Sequence, residues 1–561
     1  MSKISLLPLG GQDERNKNSF VVKVDNDVMV FNCGGKIPVN SLYGVNIIIP
    51  DYSSFLNEKD KIKGIFIGFP TFYNHASLLS LLQIVGMKTP IYCTEIGKII
   101  IETFLEKKYW GNSKNIKLNI NVVYPLRPFM VGKSEITPFL ISNSIPGSVG
   151  WVVKTNDGSI VLMDEFIINN DRSRIFNSQI SKIDGITKHK TLALLTSLGS
   201  VGKNKNFTTP NHKNISFYQS VIKKSPGRVF VACNDSDIYT ILNLAQIAKS
   251  LGRPFSIYSN TFMNVFSNIV KNKLINPRGL NCIQISEINN SPNAIVVISV
   301  THEQLFKKLS LIVDNQINSM ILNENDIFIL GTQLVPGYEG HGAQLLDKLS
   351  KKNIVSYTLP KTILPMMASD EDQKYTLDKL NPKYVFPMQG LYKSFVKYEM
   401  SAAETWVKPE QIFFLDNGEE ITIENGEIDP KKKTYKLVEK YISNNGMEEA
   451  NNSILFERQK LSDSGVVFLT LFIDKESQKF INKINYQTYG IITKIECNDK
   501  MINEIMDNFK LQILNYVILD EKTGKINHKE TKVMFKKIIS KMFEKKFDKR
   551  PIVLTSIIEI D

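Results

Sequence analysis

Histidine is scarce: six in 561 residues, namely His75, His189, His212, His302, His341 and His528. A metal centre built from several clustered imidazoles has little to draw on. The five cysteines, Cys33, Cys93, Cys233, Cys282 and Cys497, are far apart, odd in number and form no CxxC pair. That excludes a disulfide-stapled scaffold and points to a reducing cytoplasm. No apolar run approaches the roughly 20 residues needed to cross a bilayer. The N-terminus turns polar too early for a signal peptide. A soluble, cytoplasmic chain with no membrane partner is expected. Gly10-Gly11 is followed by no GxGxxG, so it is not a dinucleotide-binding loop. Ser144 and Ser197 have no His base in register, which leaves serine hydrolase chemistry unsupported.

What is present is ordinary globular composition, 42% apolar and 22% charged, with a net charge of +13. At roughly 100–200 residues per domain the length suggests about three domains. The basic surplus favours a polyanionic partner such as nucleic acid. Only nine of the 69 basic residues are Arg. Lys, Asn and Ile are all abundant, as AT-rich codon usage would also produce, so the charge favours RNA without deciding it.

Residues 1–212 alternate short apolar runs with turn signals, and Ile4–Leu9, Phe20–Val24, Asp27–Phe31, Val45–Ile49, Gly64–Ile67, Ser148–Thr155 and Gly158–Met163 read as strands. From 213 to 360 the rhythm changes to alternating strands and helices, as in a doubly wound α/β domain: Arg228–Ala232, Pro254–Tyr258, Ala294–Val300 and Asp326–Gly331 are the strands. Residues 361–428 return to β structure, with Tyr384–Pro387, Ile412–Leu415 and Glu420–Ile423. The stretch 429–456 is charged and helix-prone and reads as a linker. A last α/β unit, 457–561, has strands in Gly465–Ile473, Tyr489–Ile495 and Ile552–Ile560, and a basic helix within Lys532–Lys549.

Several strings, in order, resemble the ribonuclease J family of metallo-β-lactamase/β-CASP proteins. They are Leu9-Gly10-Gly11, Ile49-Pro50-Asp51, Lys63 to Ile67, Asn143 to Gly150, Pro336-Gly337-Tyr338-Glu339, Pro387-Met388-Gln389-Gly390, Phe414 to Gly418 and Lys549-Arg550-Pro551. The resemblance covers nearly the whole chain. It implies an α/β fold: an αββα metallo-β-lactamase sandwich split by an inserted β-CASP α/β domain, with a small α+β C-terminal domain.

The resemblance also implies a chemistry. Members cut RNA with two zinc ions held by an HxHxDH string after a buried strand and by later His and Asp ligands. In this chain Phe69, Thr71, Tyr73 and Asn74 stand at the four positions of that string. Asn143 stands at a third-motif His, Glu165 at an Asp, and Gln389 at the His before Gly390. Met367 falls near another His. Phe cannot ligate zinc, and Thr and neutral Tyr are poor ligands. His75 is one position late. Asp164 and Glu165 remain, and two carboxylates do not make a dizinc site. No catalytic residue, metal or cofactor is therefore expected. The family's Gly-Ser-Gln-Gly-Glu-Pro loop for the RNA 5′ end is here Val300 to Leu305. Without its glycines, close approach of the backbone to a phosphate is lost. Ser144, Thr301, His302 and Lys393 are the expected RNA contacts.

The resulting expectation is a non-catalytic subunit in RNA processing and decay. Its partners would be RNA and an active ribonuclease J paralog, or a second copy of itself. Two alternatives are a residually active metal-dependent exo- or endoribonuclease, and an RNA- or ribosome-binding scaffold.

Overall fold

The strands Lys3–Gly10, Ser19–Val24 and Asp27–Phe31 are apolar on both faces because each face is covered. Ile4, Leu6, Val22 and Phe31 share one cluster with Trp151, Ile160 and Phe386 of a second sheet. Leu7, Val21, Val30 and Ile65, which point the other way, pack with Leu78, Leu81 and Leu82 of the helix Leu78–Val85. On the far side of the second sheet, Val152, Val161 and Leu194 lie under Ile183, Leu377 and Tyr398 of three further helices. The layers are thus helix, sheet, sheet, helix. Each fully buried Val, Ile, Leu or Phe contributes about 1.5–3 kcal/mol.

The computed structural model describes the chain apart from residues 1, 39–43, 56, 106–115, 171–174, 273–275, 277, 335–336, 444–448, 451, 478, 492–497, 521–524 and 561; the side chains at 260, 261, 302, 303, 449, 450, 452, 482, 498 and 499 are also left out. Two compact units result: residues 1–39 with 46–448, and residues 40–45 with 449–561.

In the first unit one sheet has eight strands, ordered Glu427–Thr434, Glu419–Glu424, Lys3–Gly10, Ser19–Val24, Asp27–Phe31, Ile62–Phe66, Ile91–Cys93 and Ile120–Val122. The second has six, ordered Tyr384–Met388, Thr191–Ser197, Gly158–Met163, Val149–Thr155, Ser134–Leu140 and Phe129–Val131. Between Thr191–Ser197 and Tyr384–Met388 the chain leaves to build a third, all-parallel sheet, ordered Phe255–Tyr258, Ile295–Val300, Val229–Asn234, Ile327–Leu330 and Val355–Thr358. Its strands are near-continuous apolar runs, as expected of a parallel sheet buried on both faces. Helices Ile238–Leu251 and Asn260–Lys271 cover one face, and His302–Val313 and Glu339–Lys351 the other. Helix Ile238–Leu251 starts where the Asp237 carboxylate accepts from the Thr240 amide at 3.0 Å and stops at Gly252 in the left-handed region. These are the usual N-cap and C-cap signals.

The second unit has a three-stranded sheet, ordered Phe480–Tyr489, Val466–Asp474 and Ile552–Ile560. Helices Asn498–Gln512 and His528–Phe547 bury Phe509, Phe535, Ile539 and Phe543 against Val467, Leu469 and Leu471. Cys33, Cys93 and Cys233 are buried and free, Cys282 is exposed and free, and Cys497 lies outside the described residues. Among the described residues no helix is long and apolar enough to cross a membrane.

Three sequence expectations change. The stretch 429–456 contains the boundary between the two units, at 448/449, but is built more of strand than of helix. It holds most of the strand Glu427–Thr434, the strand Lys440–Ser443 and the start of the helix Asn452–Ser464. Its lysines suit a sheet edge, where charge discourages further pairing. Ile412–Leu415 makes only one bridge, between Ile412 and Val385. The strand read at Tyr489–Ile495 lies earlier, at Phe480–Tyr489, and 492–497 is outside the described residues.

Candidate functional site

The strand Ile62–Phe66 runs into a loop that crosses toward the second sheet. Gly68 allows this crossing, since a Cβ there would stand 2.1 Å from the Val149 carbonyl oxygen. The Val149 amide donates to the Gly68 carbonyl at 3.0 Å, joining the two sheets at the loop. Phe69 follows, and its ring is buried in the apolar cluster that holds Ile96, Ile99, Ile100 and Ile145. Thr71 is buried and Tyr73 half-buried. Asn74 staples the loop: its amide donates to the Phe69 carbonyl at 2.7 Å, and its side-chain oxygen accepts from Asn18 Nδ2 at 2.6 Å. Its backbone carbonyl accepts from the Cys33 amide at 2.8 Å. His75 is buried with its ring 5.3 Å from that of Phe104.

The second sheet supplies the rest. Asn143 Nδ2 donates to the Glu165 carbonyl at 2.9 Å, and Asn143 Oδ1 accepts from the Ile145 amide at 3.0 Å. Asp164 Oδ1 accepts twice, from Asn32 Nδ2 at 2.8 Å and from Gln389 Nε2 at 2.5 Å. Gln389 has φ of 63°, and its amide donates to Gln12 Oε1 at 3.0 Å. Burial pushes the Asp164 carboxyl up to about 6, against the two hydrogen bonds that favour its ionised form. Burial, and then the neighbouring Asp164 charge, push Glu165 up to about 7. Lys203 is lowered, first by desolvation and then by repulsion from Arg15 and Lys393, while Glu165 acts in the opposite sense.

The structure therefore brings Asn143, Asp164, Glu165 and Gln389 together, Asn143 through the Glu165 backbone carbonyl and Gln389 through the Asp164 carboxylate. Met367 is half-buried, its carbonyl accepting from Thr208 Oγ1 at 2.9 Å. Ser144 lies within the Asn143–Ile145 turn, its carbonyl accepting from the Tyr239 amide at 2.9 Å. Thr301 lies at the carboxyl end of the parallel strand Ile295–Val300. There, neighbouring strands send their helices to opposite faces, the usual crevice of such sheets. It lines a cavity of ≈ 50 Å³ with Phe72, Phe104, Asp235, Ser259 and Gln304. The backbone of His302 opens the next helix, and its side chain is outside the described residues. Sequence reading missed Gln12, Asn18 and Asn32, whose amides hold the network. No spacing rule marks a lone side-chain amide.

The β-CASP domain model of ribonuclease J matches residues 226–349, and the ribonuclease J C-terminal domain model matches residues 453–560. Ribonuclease J 2 of Staphylococcus aureus is 25% identical over 579 residues, covering 99% of this chain and 98% of its own length. The chain belongs to the ribonuclease J family. An uncharacterized Mycoplasma genitalium protein, MG423, is 39% identical over 563 residues and covers all of both chains. A crystal structure of a protein of unknown function from Enterococcus faecalis shares the fold at 13% identity, with a TM-score of 0.52 over 75% of this chain and 100% of that one.

Ribonuclease J membership implies two zinc ions, and the residues here do not fit them. Among the described residues no group of three or more His, Cys, Asp or Glu could hold a metal ion. The side chains at the positions that the resemblance assigns to ligands are an aromatic ring, hydroxyls, amides and a thioether, with Glu165 the one carboxylate. The amides are already hydrogen-bonded within the protein. Neutral amides are weak donors for zinc, which prefers imidazole, thiolate and carboxylate.

Proposed function

We propose that this ribonuclease J family member is a non-catalytic, RNA-binding subunit for RNA processing and decay. In this reading it works in the cytoplasm with an active ribonuclease J paralog or a second copy of itself. One observation carries the reading: the hydrogen bonds of Asn74, Asn143 and Gln389 close the ligand positions internally. Each of these bonds spares a buried polar group the roughly 1–3 kcal/mol of an unmet partner, although Asn18 Oδ1 and Asn32 Oδ1 beside them are buried without a partner among the described residues. Here the amide of Gln389 and that of Asn32 take the carboxylate that a cation would otherwise neutralise.

The test uses the chain purified free of metal, supplied with Zn²⁺ or Mn²⁺ and given 5′-labelled single-stranded RNA. Intact RNA is the expected outcome. Mononucleotide release that a chelator abolishes would overturn the reading. It would favour residual catalysis instead, for which the adjacent carboxyls Asp164 and Glu165, both pushed up toward neutrality, are the supporting observation. Capture of the tagged chain without any ribonuclease J paralog and without a second copy would leave an RNA- or ribosome-binding scaffold.

A further inference from the structure

In the second unit, the helix His528–Phe547 carries charge that its own packing does not use. Its inner face is core: Phe535, Ile539 and Phe543 are fully buried with Val467, Leu469 and Leu471. Both ends are fixed. The Asn527 side chain accepts from the Glu530 amide at 3.2 Å, and Asp548, at φ of 54°, closes the last turn. Thr555 Oγ1 donates to the Lys532 carbonyl at 3.4 Å and ties the helix to the strand Ile552–Ile560. On the outer side Lys529, Lys536, Lys537, Lys541 and Lys545 are exposed and Lys532 is half-buried.

Two neighbouring cations are paired: Lys546 lies 3.0 Å from Glu504, and Arg550 lies 2.5 Å from Glu544. By contrast, none of the six lysines forms an ion pair among the described residues. Two glutamates share the outer side. Glu544 is held by Arg550, and Glu530 stands in the first turn, where it complements the helix N-terminus. Lys532 and Lys536, Lys537 and Lys541, and Lys541 and Lys545 are each four residues apart. Like charges at that spacing destabilise a helix. An anion laid across the face relieves the repulsion.

The layout of the charges selects the anion. At 3.6 residues per turn, Lys529, Lys532 and Lys536 fall toward the strand Ile552–Ile560, and Lys537, Lys541 and Lys545 fall toward the helix Asn498–Gln512. Val533 and Ser540 form the ridge between the two rows. The rows stand about 10 Å apart across the helix and together run about 24 Å along it. No aromatic ring is offered for stacking: Phe535 and Phe543 are buried, and Phe547 leans on Phe543 with ring centroids 5.8 Å apart. A single strand, whose bases gain by stacking, finds little here. Lysine ammoniums are point charges suited to phosphate. A duplex presents two rows of phosphates on a regular frame, and double-stranded RNA is recognised mostly by shape and backbone contacts. We infer that the outer face of the helix His528–Phe547 is a docking surface for double-stranded RNA. It rests on the RNA-binding part of the proposed function and deepens it. No bond is broken, and the first unit's site takes no part.

The test measures binding of the full chain to a 5′-fluorescein blunt RNA duplex of about 16 base pairs, the span of a domain that reads duplex shape. The matching single strand is titrated beside it. Fluorescence anisotropy is followed against salt, in EDTA. Replacing Lys529, Lys536, Lys537 and Lys541 together by Gln should lower the slope of log duplex affinity against log salt by about 3. Arg at the same four positions should restore the slope. Binding of the single strand should change little. A matched loss of charge in the first unit, with the exposed Lys223, Lys224, Lys249 and Lys271 replaced by Gln, should leave the duplex slope nearly as it was. Melting curves confirm that each variant is folded.

An unchanged duplex slope in the helix variant overturns the inference. An equal fall in the matched control does so too, because net charge alone would then be the cause. Equal losses for duplex and single strand overturn it as well, and would make the face a general polyanion surface. So does loss of sedimentation with phosphatidylglycerol vesicles while duplex affinity stays intact, which would mark a lipid-facing surface. The failures of the two readings are separable. Single-stranded RNA still bound, with an unchanged duplex slope, sinks only the helix surface. Failure of the parent chain to bind either RNA sinks the RNA-binding function with it.

Discussion

Asp164 is the residue on which the site turns. It is buried, and both hydrogen bonds to its Oδ1 come from neutral amides, those of Asn32 and Gln389. Its carboxyl is therefore raised from 3.8 to about 6, chiefly by burial. The sign follows from proton binding. Between those two values the folded state holds more protons than the unfolded state, so stability falls as pH rises through that window. The cost at neutral pH is on the order of 3 kcal/mol. Asp164→Asn keeps an acceptor oxygen for both amides and removes the charge. It should raise the melting midpoint at pH 8, with the advantage over the parent closing as pH is lowered toward 4. An advantage independent of pH would place the effect elsewhere. Asn74 makes a second residue-level prediction. Asn74→Ala removes its bonds to Phe69 and Asn18 and leaves buried partners unsatisfied, so thermal unfolding should show a loss of about 2–3 kcal/mol. The buried strand Ile62–Phe66 and the loop after it were legible in the sequence, and the resemblance assigned the ligand string to that loop. The amides that close the site were not, because Gln12 and Asn32 meet Gln389 and Asp164 only when the two sheets pack.

The loop carrying Phe69, Thr71, Tyr73 and Asn74 behaves as an element in its own right, anchored at one end by Gly68 against Val149 and at the other by Asn74 against Asn18. Phe69 contributes to the same apolar cluster as the helices Ile238–Leu251 and Asn260–Lys271 of the parallel domain. The position that the resemblance assigns to a ligand is part of the core here. Writing the string back as Phe69→His, Thr71→His, Tyr73→Asp and Asn74→His should lower stability by about 3 kcal/mol or more, through lost burial and a buried imidazole. Zinc should remain substoichiometric by elemental analysis until Asn143→His and Gln389→His are added. One equivalent of zinc in the four-site variant would show that the second sheet is not needed. At this scale most strands of the first and third sheets were legible from short apolar runs between turn signals, while Ile120–Val122 and Val355–Thr358 were not read. The strand Glu427–Thr434 was not, because its sequence EIDPKKKT carries an edge-strand charge pattern that also reads as a solvated helix or linker.

The whole molecule carries +13, and its second unit presents apolar residues that its own core does not use. The helices Asn498–Gln512 and His528–Phe547 cover the sheet face that bears Val467, Leu469 and Leu471. On the opposite face the parallel register sets Phe468 beside Leu554 and Phe472 beside Ile558. Phe468, Leu554 and Ile558 are 41%, 44% and 43% exposed. Such a face would serve as the interaction surface that the proposed subunit role requires. Phe468→Glu with Ile558→Glu should therefore abolish association with a second copy or a ribonuclease J paralog in sedimentation velocity. The melting midpoint should stay nearly unchanged, because neither side chain belongs to the buried cluster. The lysines of the helix His528–Phe547 lie on the other side of the sheet, so the same double variant should keep its affinity for duplex RNA. Loss of assembly with RNA binding retained would assign the two properties to opposite faces of this unit, whereas loss of both would mean that RNA is held only by the assembled form.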